Sequence, residues 1–189
     1  MMLPVHTQKA NLRQTLLQQR RSLPRADWHS RSQAICAHLQ RDDCFNQART
    51  ILSYFSFQQE PCLSSLIELP KVWGFPRCVG SSLVWHQWSI GLPLQVGKYG
   101  IPEPDPNLPL VESTQADLIL VPAMGCDHRG YRLGYGGGYY DRLMGESPWK
   151  KKMTIGIIFE FAYLPELPVD PWDQPLSLVC TELGIRNCR

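Results

Sequence analysis

No stretch of the sequence approaches the roughly 20 consecutive apolar residues that a membrane span requires, so no membrane partner is expected. The opening MMLPVHTQKANLRQ also lacks the apolar core of a signal peptide, which predicts a cytoplasmic protein. Seven cysteines are present, but none falls in a C-x-x-C or other paired ligand spacing, and the five histidines form no H-E-x-x-H. Reduced, mostly buried thiols are therefore expected, and a zinc site is not. Two familiar phosphate signatures are missing too. No glycine run carries the lysine of G-x-x-x-x-G-K-[ST], and in the densest run Tyr139 stands where G-x-G-x-x-G needs its last glycine. There is no internal repeat and no low-complexity tract.

What is there suits one domain over 1–189 with a sizeable core, 43% hydrophobic and 19% charged. The net charge of +2 hides an asymmetry: residues 1–49 carry +5 and the remainder −3. A basic amphipathic start is either a solvated helix face or a surface that attracts phosphate. The acidic remainder offers little to a nucleic acid, and no such partner is expected.

Leu12, Leu16 and Leu17 recur on a helical period, which predicts a helix over 7–22 that stops before Pro24 and sets Lys9 and Arg13 on one face. A second helix is predicted from Asp27, as N-cap, to about Gln40, burying Ala34, Ile35 and Leu39. From Thr50 the texture becomes short and β-rich: 50–57, 71–75, 83–88, 116–124, 153–159 and 176–182 read as strands, with helical patterns at about 61–69 and 138–145. Strands alternating with helices predict an α/β layer fold with at least partly parallel strands. The proline-rich segment IPEPDPNLP (101–109) is expected to be a surface loop.

LILVPA is a nearly continuous apolar run and reads as a buried central strand. After it, RLGYGGGYYDR (132–142) runs through four glycines in five positions into a helix opening near Tyr139. Glycines let successive backbone N–H groups approach a phosphate without a Cβ in the way, and Gly137 is expected to need a positive φ. From the glycines alone, a plain turn fits as well as a phosphate loop. Asp141, as a possible Mg²⁺ ligand, and Arg132, as a partner for phosphate oxygens, favour the loop.

DLILVPAMGCDHRGYRLGYGGGYYDR resembles the signature of the 5-formyltetrahydrofolate cyclo-ligase family, also called methenyltetrahydrofolate synthetases. Further landmarks follow in family order: Lys9-x-x-x-Arg13, Glu60, Pro76-Arg77, GIPEP (100–104) and TELGI (181–185).

The resemblance implies a NagB/RpiA/CoA-transferase-like fold, a single α/β layered domain with a mostly parallel sheet flanked by helices. It implies an enzyme that uses Mg²⁺ and ATP to cyclise 5-formyltetrahydrofolate to 5,10-methenyltetrahydrofolate; a monomer is expected. Carried over residue by residue, it puts Lys9 and Arg132 in catalysis. ATP would lie on Lys9, Arg13, Arg132, Leu133, Gly134, Tyr135, Gly136, Gly137, Gly138, Tyr139 and Tyr140, and the folate on Phe55, Glu60, Tyr99, Tyr135 and Tyr139. Asp141 would be the metal ligand. Phe55 and Tyr99 fit a core role equally well, and Glu60 before Pro61 could instead cap a helix. Ser177 stands where many members carry an acid that contributes to the metal site. A noncatalytic protein that binds nucleotide, folate or RNA through the basic N-terminal face is the alternative reading.

Overall fold

The computed structural model describes residues 4–188. Helix α1 spans Val5–Arg21 and α2 Arg25–Leu39, each entered through a proline, Pro4 and Pro24, with φ near −55° and ψ near 145°. A proline needs no partner for the donor it lacks and presets φ, so Pro24 takes the entry expected of Asp27. Asp27 falls in the first turn, where a carboxylate meets the positive end of the helix dipole. The short α3, Asp43–Gln47, is capped by Asp42, whose carboxylate accepts from the Phe45 N–H at 3.0 Å.

Strands β1 (Thr50–Leu52), β2 (Val72–Val79), β3 (Ser82–Gln87), β6 (Leu118–Pro122), β9 (Met153–Ile157), β11 (Leu178–Thr181) and β12 (Gly184–Asn187) build a seven-stranded sheet in the order β12-β11-β9-β6-β1-β2-β3. The five inner strands are parallel, and β12 and β3 close the two edges antiparallel. This is the mostly parallel α/β sheet that the alternation of elements predicts. LILVP is its central strand and is buried on both faces. Ile119 and Val121 pack with Leu16 of α1, while Leu118 and Leu120 pack with Ile35 and Leu39 of α2. Alternate side chains of one strand thus seat a helix on each face.

Two small sheets complete the fold. β4 (Leu94–Val96) pairs with β5 (Pro102–Pro104), and β7 (Gly125–Asp127) lies between β8 (Arg132–Leu133) and β10 (Tyr163–Leu164). Helix α4, Tyr139–Gly145, follows the glycines.

Two further expectations are corrected. The pattern at 61–69 closes only one 3₁₀ turn, Ser64–Leu66, and Pro70 disfavours a helical conformation at Leu69, which ends the segment. The proline-rich loop is in part a strand, β5. Gly97 donates to Ile101 on one side of the pair and Asp105 to Pro93 on the other, so the proline positions 102 and 104 fall on the outward side of the ladder and cost it no bond.

The chain leaves β1 toward β2 on one side and later returns to lay β6 on the other. Such a reversal opens a crevice at the carboxyl ends of the two strands, where open α/β sheets take their ligands. Here those ends are the segments after Leu52 and after Pro122.

Candidate active site

Helix α1 lies across this crevice. At 100° per residue, positions 9, 13, 16 and 20 fall within an arc of about 60°, and Lys9, Leu16 and Arg20 are the residues the helix buries. Its inner face therefore sets cations around the buried Leu16, with Leu12 and Leu17 half-buried beside it. Lys9 Nζ pairs with Asp170 at 2.7 Å and Asp173 at 2.5 Å. Burial works against its charge, but the hydrogen bonds and charges of the two aspartates outweigh it and hold the ammonium above its ordinary pKa. Arg13 Nε donates to the Gly134 carbonyl at 2.8 Å. Arg20 donates to the carbonyls of Gln58 at 2.9 Å and Ala123 at 3.4 Å, to the Met124 sulfur, and to the Tyr135 hydroxyl.

The segment after β1 carries Glu60, 2% exposed. Gln58 and Gln59 both stand in the left-handed region, with φ of 47° and 59°. Successive non-glycine residues hold that conformation only when their surroundings enforce it. The turn aims the Glu60 carboxylate inward, where it accepts from the Phe57 N–H and the Tyr135 hydroxyl, each at 3.0 Å. Desolvation raises its pKa to about 7, against the pull of the Arg20 charge and these two hydrogen bonds. Trp28 and Ser56 both donate to its backbone carbonyl.

On the far side of Tyr135 the glycines turn into α4. Gly136 and Gly138 have φ of 101° and 67°, and Gly138 is the helix N-cap. Gly137 has no positive φ, contrary to expectation. It is constrained by space instead: a Cβ there would sit 2.9 Å from the Tyr139 ring. Tyr139 donates to the Gly80 carbonyl and shares a 3.3 Å hydroxyl contact with the exposed Tyr99. Asp141 takes Arg132 at 2.9 Å and the Gln174 N–H at 3.2 Å on the same oxygen, Oδ1. Gly136–Gly138, Asp141, Trp172 and Gln174 border an open hollow of about 570 Å³.

A glycine loop, a buried acceptor carboxylate and a cationic helix face thus meet in one crevice. Residues 5–182 match the 5-formyltetrahydrofolate cyclo-ligase family. The chain belongs to that family. The 5-formyltetrahydrofolate cyclo-ligase of Mycolicibacterium smegmatis is 33% identical over 188 residues, 92% of this chain and 93% of the relative. That of Haemophilus influenzae is 27% identical over 91% of this chain and 97% of its own. The NMR structure of Aquifex aeolicus 5,10-methenyltetrahydrofolate synthetase matches with a TM-score of 0.84 at 30% identity, covering 96% of this chain and 93% of that one. The chain is an enzyme with the cyclo-ligase activity of folate metabolism.

Within this cyclo-ligase fold, Lys9, Arg13, Arg132, Gly134, Tyr135 and Asp141 gather around the glycine loop and α1, and Glu60 joins them through Tyr135. Three residues carried over from the family have side-chain contacts in the core. Leu133 is buried in the core, and its carbonyl is taken by Met124 N–H. Tyr140 packs its ring edge toward Trp85 in the same core. Phe55 stacks on Phe75 at 4.3 Å and meets Trp88 edge-on. Ser177 exchanges hydrogen bonds with Thr154 on β9, so its hydroxyl serves the sheet.

Sequence reasoning missed Arg20, Asp170, Asp173 and Trp172. Arg20 was readable as a third cation at the angle of Lys9 and Arg13. The aspartates sit in PVDPWDQP, which has no period to point at a partner.

Among the described residues no three His, Cys, Asp or Glu side chains gather as a metal site. Mg²⁺ needs no such cage, since one or two carboxylates with phosphate and water suffice. Asp141 Oδ2, which carries no hydrogen bond among the described residues, fits that requirement.

Proposed function

We propose that this single domain couples ATP cleavage to closure of a folate ring, with the pterin on Glu60 and the triphosphate on the loop Gly134–Gly138. Family membership implies ATP use. The observation that carries the assignment is α1 itself, which reaches the loop through Arg13 and the Glu60 turn through Arg20.

The formyl oxygen of 5-formyltetrahydrofolate attacks the γ-phosphorus and ADP leaves. N10 then adds to the formyl carbon and loses its proton. The carbon–oxygen bond breaks, and phosphate departs with the formyl oxygen, leaving 5,10-methenyltetrahydrofolate. Phosphorylation converts a poor oxygen leaving group into a good one, so the protein's task is to position reactants and neutralise charge.

Glu60 accepts the pterin N–H donors, Tyr135 and Tyr139 line the boundary between the ligands, and Tyr99 offers an exposed ring to the folate. Lys9 and Arg13 supply positive charge from α1, and Lys9 exchanges part of its aspartate contact for phosphate oxygens. Arg132 orients Asp141 through their ion pair. Mg²⁺ bound there would neutralise phosphate charge, with Asp141 as its protein ligand.

The test is isotope transfer. With the formyl oxygen labelled with ¹⁸O, methenyl absorbance should appear only with ATP, and the label should be recovered in inorganic phosphate. Label left in water or in the folate would overturn the mechanism.

A further inference from the structure

Arg20 is buried, and among the described residues it has no carboxylate within ion-pair distance. A guanidinium cannot shed its proton, and a buried cation is costly unless another charge compensates it. Carbonyls from both strand ends of the crevice, Gln58 and Ala123, hold it in place. Its Nη2 donates to the Met124 sulfur and to the Tyr135 hydroxyl, which donates in turn to Glu60.

We propose that Arg20 is a positioning residue for the folate acceptor: through the Tyr135 hydroxyl it holds the Glu60 carboxyl in place, favours its charged form and ties the glycine loop to it. The proposal rests on the reading of Glu60 as the pterin partner.

The surroundings of Glu60 leave Arg20 this role alone. The titratable groups that face it are Arg20 from α1, Tyr135 from the loop, Tyr54 after β1 and Tyr140 from α4. Burial raises the tyrosines, so they stay neutral, and Arg20 is the one cation among these groups. With burial driving Glu60 to about 7, that cation is the largest of the groups that favour the carboxylate, ahead of the Phe57 and Tyr135 hydrogen bonds. Pterin N–H groups need an acceptor, so folate affinity should climb with pH through the Glu60 titration. Without Arg20 the climb should come later.

The experiment follows the Glu60 side-chain carboxyl by ¹³C NMR against pH in the ligand-free protein, and 5-formyltetrahydrofolate affinity by calorimetry over the same range. Arg20→Gln should raise the carboxyl midpoint by at least about one pH unit, which leaves roughly fivefold less carboxylate at pH 7. Affinity should fall in proportion at pH 7 and recover near pH 9, and Arg20→Lys should bring the midpoint part of the way back. A purely structural role would lower affinity at every pH and leave the midpoint alone, which overturns the proposal.

If Arg20→Gln does not fold, Tyr135→Phe breaks the same chain at its middle and should also raise the midpoint. An unmoved midpoint in that folded variant overturns the proposal equally. The underlying reading has its own check. If Glu60→Gln binds folate as tightly as the parent, the pterin lies elsewhere, whatever Arg20 does to the carboxyl.

Discussion

Glu60 is nearly out of contact with solvent, and a carboxylate there is stable only through its hydrogen bonds and the nearby guanidinium. Its folded pKa of about 7 lies above the ordinary 4.5, so the folded protein takes up a proton that the unfolded chain gives away between those two values. Its contribution is therefore full below pH 4.5 and is lost as pH rises through 7. The raised pKa corresponds to roughly 3 kcal/mol of stability surrendered across that window. Glu60→Gln, which cannot ionise, should lose less stability between pH 5 and pH 8 than the parent. Thermal melts of both at the two pH values check this, and parallel losses would show that Glu60 titrates in its usual range. Glu60, Lys9 and Arg13 were legible because family spacing marks them. Arg20 carries no family spacing, and only its helical angle, shared with Lys9 and Arg13, singles it out as the arginine that turns inward.

Among the elements, the glycine loop and α4 follow the sequence most directly: apolar strand, glycines, then a helix at Tyr139. What was illegible is which glycine does what. Gly138 combines a φ of 67° with a Cβ position 2.7 Å from an Arg142 nitrogen, whereas a Cβ on Gly134 meets nothing within 4 Å. Gly138→Ala should therefore lose about 1–2 kcal/mol of stability, and Gly134→Ala should stay within about 0.5 kcal/mol of the parent. Urea denaturation of the two variants measures the contrast, and equal midpoints would mean that the backbone at 138 relaxes freely. Asp141, in the first turn of α4, gives a separate outcome. Asp141→Asn should raise the Mg²⁺ concentration needed for half-maximal turnover, while an unchanged requirement would move the metal off this helix. The helix over 61–69 and the loop over 101–109 were misread for one reason: proline excludes a conformation locally, but which alternative forms depends on a partner strand or on chain length that spacing does not encode.

At the scale of the molecule, the sheet and α1 are held by different forces. β6 is buried on both faces and paired on both edges, so its amides should open only with global unfolding. Helix α1 covers the carboxyl ends of the strands with the buried Leu16, the half-buried Leu12 and Leu17, and three cations, whose partners are loop carbonyls, a methionine sulfur, a tyrosine hydroxyl and two aspartates. A helix with a single fully buried apolar side chain, held otherwise by half-buried leucines and polar contacts, should open more readily than the central strands, and it is also the part that the proposed ligands touch together. In the free protein, α1 amides should therefore exchange with deuterium faster than those of β6 and β9. A nonhydrolysable ATP analogue should slow α1 and residues 134–138, folate should slow α1 and residues 57–60, and both together should slow α1 more than either alone. Exchange in β6 should not change. If α1 exchanges as slowly as β6 before any ligand is added, the helix is a rigid part of the core and the two sites do not communicate by ordering it.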